Sequence, residues 1–202
     1  GVHGSELWKT DGTESGTEIV IDLNPGEQSS GIGYLKSSNG KLFFIAAIDE
    51  HLDKKQLWIT DGTEDGTIRL NDTKIISNYS SFEFEIFSLG NKIFYDASSD
   101  QNGIELWESD GTVQGTKLFR DFNHKWGGMP RNFMENNELL YFSAMAPQGG
   151  HQLYISNGSF EGTKMVKKIG KENYSSFAEE SEMISMNNEV YFSATDQIHG
   201  FE

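Results

Sequence analysis

The strongest constraint on the fold is a short motif that returns about every fifty residues along the chain. The motif is an acidic or amide residue, leucine and an aromatic residue, and its copies are Glu6-Leu7-Trp8, Gln56-Leu57-Trp58, Glu105-Leu106-Trp107 and Gln152-Leu153-Tyr154. Successive copies begin 50, 49 and 47 residues apart. A period of roughly 20–50 residues is typical of repeat folds, in which each unit buries a hydrophobic face against its neighbour.

A second landmark, a turn sequence, follows each copy of the motif. It is Asp11-Gly12-Thr13, Asp61-Gly62-Thr63, Asp110-Gly111-Thr112 and, in a degenerate form, Asn157-Gly158-Ser159. Asp or Asn hydrogen-bonds its own backbone and Gly supplies a positive φ, so these segments are predicted hairpin turns. Calcium binding is the alternative, because carboxylates are hard ligands. Each turn offers one Asp, and the fourth copy has Asn in its place, so capping is favoured. No cofactor is predicted, and Ca²⁺ remains open.

Each repeat is predicted to contain four strands. The first carries the aromatic residue of the motif. The second strands are residues 17–23, 67–72, 116–122 and 163–169, and the weaker third strands include residues 33–35 and 84–89. Tight turns are predicted at Asn39-Gly40, Gly90-Asn91, Asn136-Asn137 and Asn187-Asn188. The fourth strands are residues 42–46, 93–97, 140–144 and 190–194, whose consecutive apolar residues indicate burial on both faces.

This pattern predicts an all-β fold, a β-propeller built of four-stranded antiparallel blades of about 49 residues. We expect one repeat domain over residues 1–202, with units at about 6–55, 56–104, 105–151 and 152–201. Four blades closing alone, half of an eight-bladed ring and an arc of another ring remain open. A β-helix is the rival fold, but its coils are usually shorter. The recurring aromatics, Trp8, Trp58, Trp107 and Tyr154, are all expected to be buried between blades.

Charge and composition exclude several classes of partner. The formal net charge is −15, which disfavours nucleic acid and anionic membrane surfaces. The chain has no cysteine, which excludes disulfides and thiol nucleophiles. Its longest apolar run, residues 42–48, is too short to insert across a bilayer.

The sequence pattern Glu-Leu-Trp-x-x-Asp-Gly-Thr resembles that of a bacterial repeat family, the ELWxxDGT repeat. Residues 6–13 and 105–112 match it fully, residues 56–63 differ only at Gln56, and residues 152–159 are degenerate. The resemblance implies a β-propeller-like fold in large exported or surface proteins of Gram-negative bacteria, many with a sorting domain for type IX secretion. Such proteins have no family catalytic residues to transfer. We expect this chain to be a segment of a longer array.

Four side chains are candidate ligand contacts. Trp126 is out of phase with the repeats, in a glycine-rich loop, where it either stacks on a sugar or protein partner or fills a gap between blades. Asp49, Asp100 and Asp196 follow the fourth strand in three repeats and either form a cation-binding ring or solvate their loops. Four of the five histidines precede the motif in successive repeats, which favours a structural role over catalysis or metal binding.

No nucleophile motif, phosphate loop or paired-histidine metal motif is present in the sequence. The favoured function is therefore a non-catalytic, extracellular or cell-surface binding or adhesion module that presents blade loops to a glycan or protein. The alternatives are a carbohydrate-active hydrolase or lyase with carboxylates at the propeller mouth, and a structural spacer.

Overall fold

The computed structural model describes residues 2–48, 55–71, 84–99, 102–171, 173–177 and 181–200. In these residues all regular structure is β-strand, in sixteen strands, which confirms the predicted all-β class. The described residues contain no helix with the length and apolar character needed to cross a membrane.

Three sheets are complete, each with four antiparallel strands in chain order. They are β3 (Gly33–Ser38), β4 (Lys41–Ala46), β5 (Gln56–Thr60) and β6 (Ile68–Arg69); β7 (Ile86–Leu89), β8 (Lys92–Ser99), β9 (Gly103–Ser109) and β10 (Lys117–Arg120); and β11 (Arg131–Asn136), β12 (Leu139–Met145), β13 (His151–Ser156) and β14 (Lys164–Lys167). The remaining strands form two hairpins, β1 (Leu7–Lys9) with β2 (Glu18–Ile21) and β15 (Met183–Met186) with β16 (Glu189–Phe192).

The sheets are half a repeat out of step with the sequence motif. Each complete sheet takes the third and fourth strands of one repeat and the first and second strands of the next. The central pair is therefore a fourth strand against the following motif strand, for example β4 against β5, where Phe44 lies opposite Trp58. Four strands per repeat is correct, but a sheet does not coincide with a repeat. The single domain and its unit boundaries stay predictions.

Local boundaries differ from the sequence predictions at several positions. The turn predicted at Asn136-Asn137 lies one residue later, because Asn137 and Glu138 have φ values of 53° and 59° while Asn136 ends β11. Asn39 and Gly40, and Asn187 and Asn188, all have positive φ as predicted. The second strands are shorter than predicted, and β16 ends at Phe192, two residues before the predicted end.

The fourth strands of the three complete sheets, β4, β8 and β12, are largely buried because they lie in the middle of those sheets. Phe44, Phe94, Phe142 and the alanines Ala46 and Ala144 are fully buried. A strand with partners on both edges has its backbone groups paired and its side chains covered on both faces, so consecutive apolar residues are stable there.

The chain divides into two compact units, Gly1–Phe84 with Asp110–Thr116, and Glu85–Ser109 with Lys117–Glu202. The core of the first unit contains Leu7, Val20, Phe44, Ala46 and Trp58, so the β1–β2 hairpin packs on the β3–β6 sheet.

The core of the second unit joins its two complete sheets. Its buried residues are Leu89, Phe94, Leu106, Phe119, Phe122, Leu140, Phe142, Ala144 and Tyr154. Phe142 and Tyr154 stack with centroids 5.7 Å apart, and Phe122 meets Tyr154 edge-on at 4.9 Å. Aromatic pairs of this kind add to the stabilisation from burial alone.

The expectation that every motif aromatic is buried is wrong for Trp8. Trp58 and Tyr154 are 8% and 4% exposed and Trp107 is half-buried, whereas Trp8 is 55% exposed. The reason is strand pairing: β1 has β2 on one edge and no fourth strand on the other in the described residues.

Candidate binding cleft around Trp126

The candidate site is a cleft of about 610 Å³ in the second compact unit, with Trp126 in its wall. Its described lining residues are Asn123, Lys125, Trp126, Met129, Met145, Pro147, Gln148, Gly149 and Asn173. They come from the loop that follows β10, the end of β12 and the loop after it, and the segment after β14. Clefts of roughly 300–1,000 Å³ are the usual size for small-ligand sites.

Asn123 builds the loop that carries Trp126. Its buried side-chain amide donates to the carbonyl oxygen of Ala146 at 3.0 Å, and its Oδ1 accepts from the backbone N–H groups of Lys125 and Trp126 at 3.1 and 3.2 Å. The Gly127 N–H donates to the Asn123 carbonyl at 2.8 Å. One buried residue therefore closes the loop and ties it to the end of β12.

Close backbone contacts hold the far end of the same loop. Gly127 has a φ of 80°, and a side chain there would lie 2.8 Å from the backbone nitrogen of Ile104. The Met129 N–H donates to the Ile104 carbonyl at 2.9 Å, and the Met145 N–H donates to the Gly128 carbonyl at 2.7 Å. Anchored at both ends, the loop presents Trp126 with little ordering left to occur on binding.

A buried carboxylate lies beneath the loop. Glu105, the first residue of its motif, accepts from the backbone N–H groups of Phe122 at 2.9 Å and Asn123 at 3.3 Å. Burial raises the pKa of this carboxyl, and the nearby Asp121 adds to the effect. Glu105 is fully buried, so it positions the loop rather than meeting a ligand.

The same arrangement occurs in other repeats, which explains why the motif begins with Glu or Gln. Glu6 accepts from the backbone of Leu23 at 3.1 Å and Gln152 from that of Ile169 at 3.0 Å, in each case through a side-chain oxygen that both residue types possess. Sequence reasoning missed this role and that of Asn123. The available signal was Asp-x-Asn after the second strand, at Asp22–Asn24 and Asp121–Asn123.

The Trp126 side chain is 61% exposed. The ammonium group of Lys125 lies 4.9 Å from the centroid of its ring, a cation–π contact that restrains both side chains. At the base of the loop His124 pairs with the Asp121 carboxylate. The position of Trp126 in an open cleft differs from the alternative prediction, in which Trp126 fills a gap between blades.

The cleft combines a flat aromatic surface with polar groups, among which Lys125 is the one charged side chain of the described lining. Met129, Met145 and Pro147 supply apolar wall, and the exposed amides of Gln148 and Asn173 supply hydrogen-bond donors and acceptors. None of the described lining residues carries a carboxyl group. The aromatic ring and the amides are suited to stacking and hydrogen bonding.

Asp196, one of the three predicted ring carboxylates, accepts hydrogen bonds from residues of its own loop. Its Oδ1 accepts from the N–H groups of Ile198 and His199 at 2.8 and 2.9 Å, and its Oδ2 lies 2.8 Å from His199 Nδ1. These bonds, led by that from the His199 N–H, lower its pKa to about 2. Asp49 and Asp100 lie outside the described residues, so the carboxylate ring stays a prediction.

The Asp-Gly turns have the same geometry in all four repeats. Asp11 Oδ1 accepts from the N–H and hydroxyl of Thr13 at 2.9 and 2.7 Å. Asp61, Asp110 and Asn157 make the equivalent pairs of bonds, which are those of a capped turn. In the described residues no three His, Asp or Glu side chains are grouped as a metal site, and calcium binding at the turns stays untested.

The histidines do not share one environment. His3 and His199 pair with Asp22 and Asp196 at 2.8 Å, whereas His151 is buried. Burial, with a contribution from the charge of Arg131, lowers the pKa of His151 to about 3. His51 lies outside the described residues.

Comparison with known proteins shows the fold class. No protein-family model and no curated protein matches the chain. Among solved structures it is similar to TolB from Acinetobacter baumannii, with 9% identity and a TM-score of 0.50 over 95% of this chain and 46% of that one. It is also similar to an α-L-arabinofuranosidase from Lactobacillus brevis, with 9% identity and a TM-score of 0.36 over 83% and 66%.

The chain therefore spans less than half the length of the TolB chain that it matches. At such low identity the likeness shows the fold alone, and a TM-score of 0.36 carries no argument. Four-stranded antiparallel sheets and the likeness to TolB identify the chain as an all-β protein with a propeller-like fold.

Proposed function

We propose that this chain is a non-catalytic binding module whose Trp126 cleft takes a neutral glycan. The observation that supports the proposal most directly is the exposed Trp126 ring, held on an anchored loop in the wall of a 610 Å³ cleft. An indole ring stacks on the apolar face of a sugar while neighbouring groups bond to its hydroxyls.

The composition of the cleft favours a glycan over a protein ligand. Gln148 and Asn173 are exposed amides, which match hydroxyl groups as both donors and acceptors. A hot spot for a protein partner is usually enclosed by a wide, largely dry interface, whereas this cleft is compact. The net charge of −15 opposes polyanionic ligands.

The carbohydrate-active enzyme remains the alternative function. It requires a pair of carboxyl groups about 5–10 Å apart at a sugar-binding site, and the described lining residues supply none. The enzyme alternative therefore depends on carboxylates outside this lining.

A binding screen with three variants tests the proposal. The purified chain is screened against neutral oligosaccharides, and the affinity of each hit is measured by calorimetry. Trp126→Ala is expected to weaken binding by about 10–100-fold, corresponding to roughly 1.4–2.8 kcal/mol, and Trp126→Phe by less because a ring remains. Phe160→Ala is the matched control, since Phe160 is 56% exposed in the same compact unit and does not line the cleft.

Three outcomes count against the proposal. Equal loss of binding in the Phe160→Ala and Trp126→Ala variants would remove the cleft from the explanation. Binding to proteins alone would assign the cleft to a protein partner. Turnover of an oligosaccharide that is abolished by a single Asp or Glu substitution would establish the enzyme.

The proposed module belongs to an exported or surface protein of a Gram-negative bacterium. The support is the resemblance of residues 6–13, 56–63 and 105–112 to the ELWxxDGT repeat. Protease digestion of intact cells tests the location: loss of the protein without lysis is expected, and full protection would contradict it.

A further inference from the structure

The segment after β14 presents a second exposed aromatic side chain, Tyr174, beside the Trp126 cleft. The Tyr174 side chain is 58% exposed. The residue before it, Asn173, lines the cleft together with Trp126, and all three residues belong to the second compact unit. The described lining of the cleft therefore ends one residue short of another exposed ring.

Tyr174 and Trp126 occupy equivalent positions of successive repeats. In each repeat the loop that follows the second strand crosses a glycine that lies two residues before the motif. A Cβ on Gly150 would collide with the carbonyl oxygen of Tyr174. A Cβ on Gly103 would lie 3.2 Å from the Cα of Gly127 and 3.6 Å from the carbonyl carbon of Trp126. Both aromatic residues therefore stand where their loop passes over this glycine.

The first two repeats show how the residue at this position varies. In the first repeat the loop crosses Gly4 at Gln28, which is exposed. In the second repeat the sequence Asn-Tyr-Ser-Ser-Phe of residues 78–82 is identical to that of residues 173–177, although residues 78–82 lie outside the described residues. By sequence, the position is aromatic in three of the four repeats and polar in the other.

Exposure at this position does not depend on whether another repeat follows. Trp126 is 61% exposed and Gln28 is exposed, although strands of the next repeat follow each of them. The exposure of Tyr174 agrees with that of both equivalents. An aromatic ring that stays exposed at a repeated loop position adds little to the core and is accessible to a ligand.

Hydrogen bonds to β13 hold the backbone around Tyr174. The Tyr174 carbonyl accepts from the side-chain amide of Gln152 at 3.2 Å. The Ser175 hydroxyl accepts from the N–H of His151 at 3.1 Å, and the Ser176 N–H donates to the His151 carbonyl at 2.9 Å. Like the Trp126 loop, this segment is anchored before a ligand arrives, so little backbone ordering is lost on binding.

We propose that Tyr174 forms a second sugar-stacking position, so that the cleft binds an oligosaccharide extending from Trp126 past Asn173 to Tyr174. This inference rests on the proposed function of the Trp126 cleft. The Tyr174 ring stacks on a further sugar unit, and its hydroxyl and the Asn173 amide hydrogen-bond to sugar hydroxyls. The ligand class is therefore a neutral oligosaccharide or a stretch of a polysaccharide, rather than a monosaccharide.

The dependence of affinity on ligand length tests the second position. The probes are linear gluco-, manno-, xylo- and galacto-oligosaccharides of one to six units, and calorimetry measures each affinity. In the wild type, affinity is expected to rise with length. Tyr174→Ala is expected to leave the affinity for the shortest bound ligand unchanged and to lower that for the longest by about 2–10-fold. Trp126→Ala is expected to weaken binding at every length.

Three further variants separate stacking from other roles of Tyr174. Tyr174→Trp is expected to keep the length dependence, because tryptophan occupies the equivalent position of the third repeat, and Tyr174→Phe to keep most of it, because the ring remains. Phe160→Ala is the control, with Phe160 56% exposed away from the cleft. The unfolding midpoint of Tyr174→Ala is expected to match that of the wild type, since the ring is exposed.

The results distinguish failure of this inference from failure of the proposed function. Three outcomes would overturn the second position while Trp126→Ala still supports the cleft: affinity that does not rise with length in the wild type, a Tyr174→Ala variant that weakens all lengths equally or none, and equal losses in Tyr174→Ala and Tyr174→Trp. Absence of binding to any oligosaccharide, or Trp126→Ala without effect, would remove the proposed function and the second position with it.

Discussion

The β3–β6 sheet and the β1–β2 hairpin carry the same motif in different surroundings. Trp58 in the complete sheet is 8% exposed and stacks on Phe44, whereas Trp8 in the hairpin is 55% exposed. The local sequences are nearly identical, Gln-Leu-Trp-Ile-Thr-Asp-Gly-Thr against Glu-Leu-Trp-Lys-Thr-Asp-Gly-Thr. The two segments differ at Gln56 and Glu6 and at Ile59 and Lys9. They also differ in the strand that lies opposite: β5 has β4 as a partner, and β1 has none in the described residues.

The comparison shows that the motif encodes a strand and a turn. The fourth strand of the preceding repeat is needed to bury the aromatic residue of the motif. The Asp-Gly turn forms equally in the hairpin and in the sheets, because its hydrogen bonds join residues two to four positions apart. The aromatic residue depends on a strand from the preceding repeat.

The largest expected effect distinguishes the two tryptophans. Trp58→Ala is expected to lower the free energy of unfolding by about 3–5 kcal/mol, because it leaves a cavity against Phe44. Trp8→Ala is expected to lower it by less than about 1 kcal/mol, because the side chain is already exposed. Urea denaturation at a concentration where the chain is monomeric measures both, and equal losses would show that the motif residues are energetically equivalent despite their exposure.

The second-largest expected effect is a pH dependence of the stability, caused by the carboxyl group of Asp96 in the central strand β8. Asp96 occupies the position of Ile45 and Ser143, and burial raises its pKa from 3.8 to about 7. The folded state therefore holds a proton that the unfolded state releases, so this stabilising contribution is present below pH 3.8 and is lost as the pH rises through about 7.

Asp96→Asn removes that pH dependence while its amide oxygen can still accept the N–H of Glu85. At pH 8 the variant is expected to be more stable than the parent by about 1–3 kcal/mol, and at pH 4 the two are expected to be equal. Thermal unfolding across this pH range gives the comparison. Asp11→Asn is the control, since the carboxyl of Asp11 has a pKa lowered by its bonds to Thr13.

A smaller effect is expected in the turns. Asp61→Ala removes two hydrogen bonds to Thr63 and is expected to lower the unfolding midpoint. Asp61→Asn is expected to be nearly neutral, because Asn157 caps its turn in the same way. Gly66→Ala is expected to cost at least as much as Asp61→Ala, since a side chain at 66 would collide with the Asp61 carboxylate. Unfolding midpoints rank the three, and a costly Asp61→Asn would indicate that the charge itself matters.

The smallest expected change in stability is that of Trp126→Ala. Because this ring is 61% exposed, removing it is expected to alter the free energy of unfolding by less than about 0.5 kcal/mol. A loss of several kcal/mol in urea denaturation would show that Trp126 is a packing residue and would weaken its assignment to a ligand.

Several features were predictable because they depend on neighbours in the chain. The turns at Asn39-Gly40 and Asn187-Asn188 and the central strand at residues 42–46 follow from residues within a few positions. The turn at Asn137-Glu138 was misplaced by one residue because Asn136 and Asn137 both tolerate a left-handed backbone. The cleft was only partly predictable: Trp126 was conspicuous, but Met145 and Asn173 reach it from distant segments.

Residue types at short separations specify the repeat, its strands and turns, and the all-β class, so the amino-acid sequence is enough to predict them. A periodic sequence has no intrinsic starting point, so it did not indicate which four strands form one sheet. Hydrogen bonding between repeats decided that Phe44 lies opposite Trp58 and that Trp8 is exposed. Strand partners and burial depend on residues far apart in the chain, and only the tertiary structure brings those residues together.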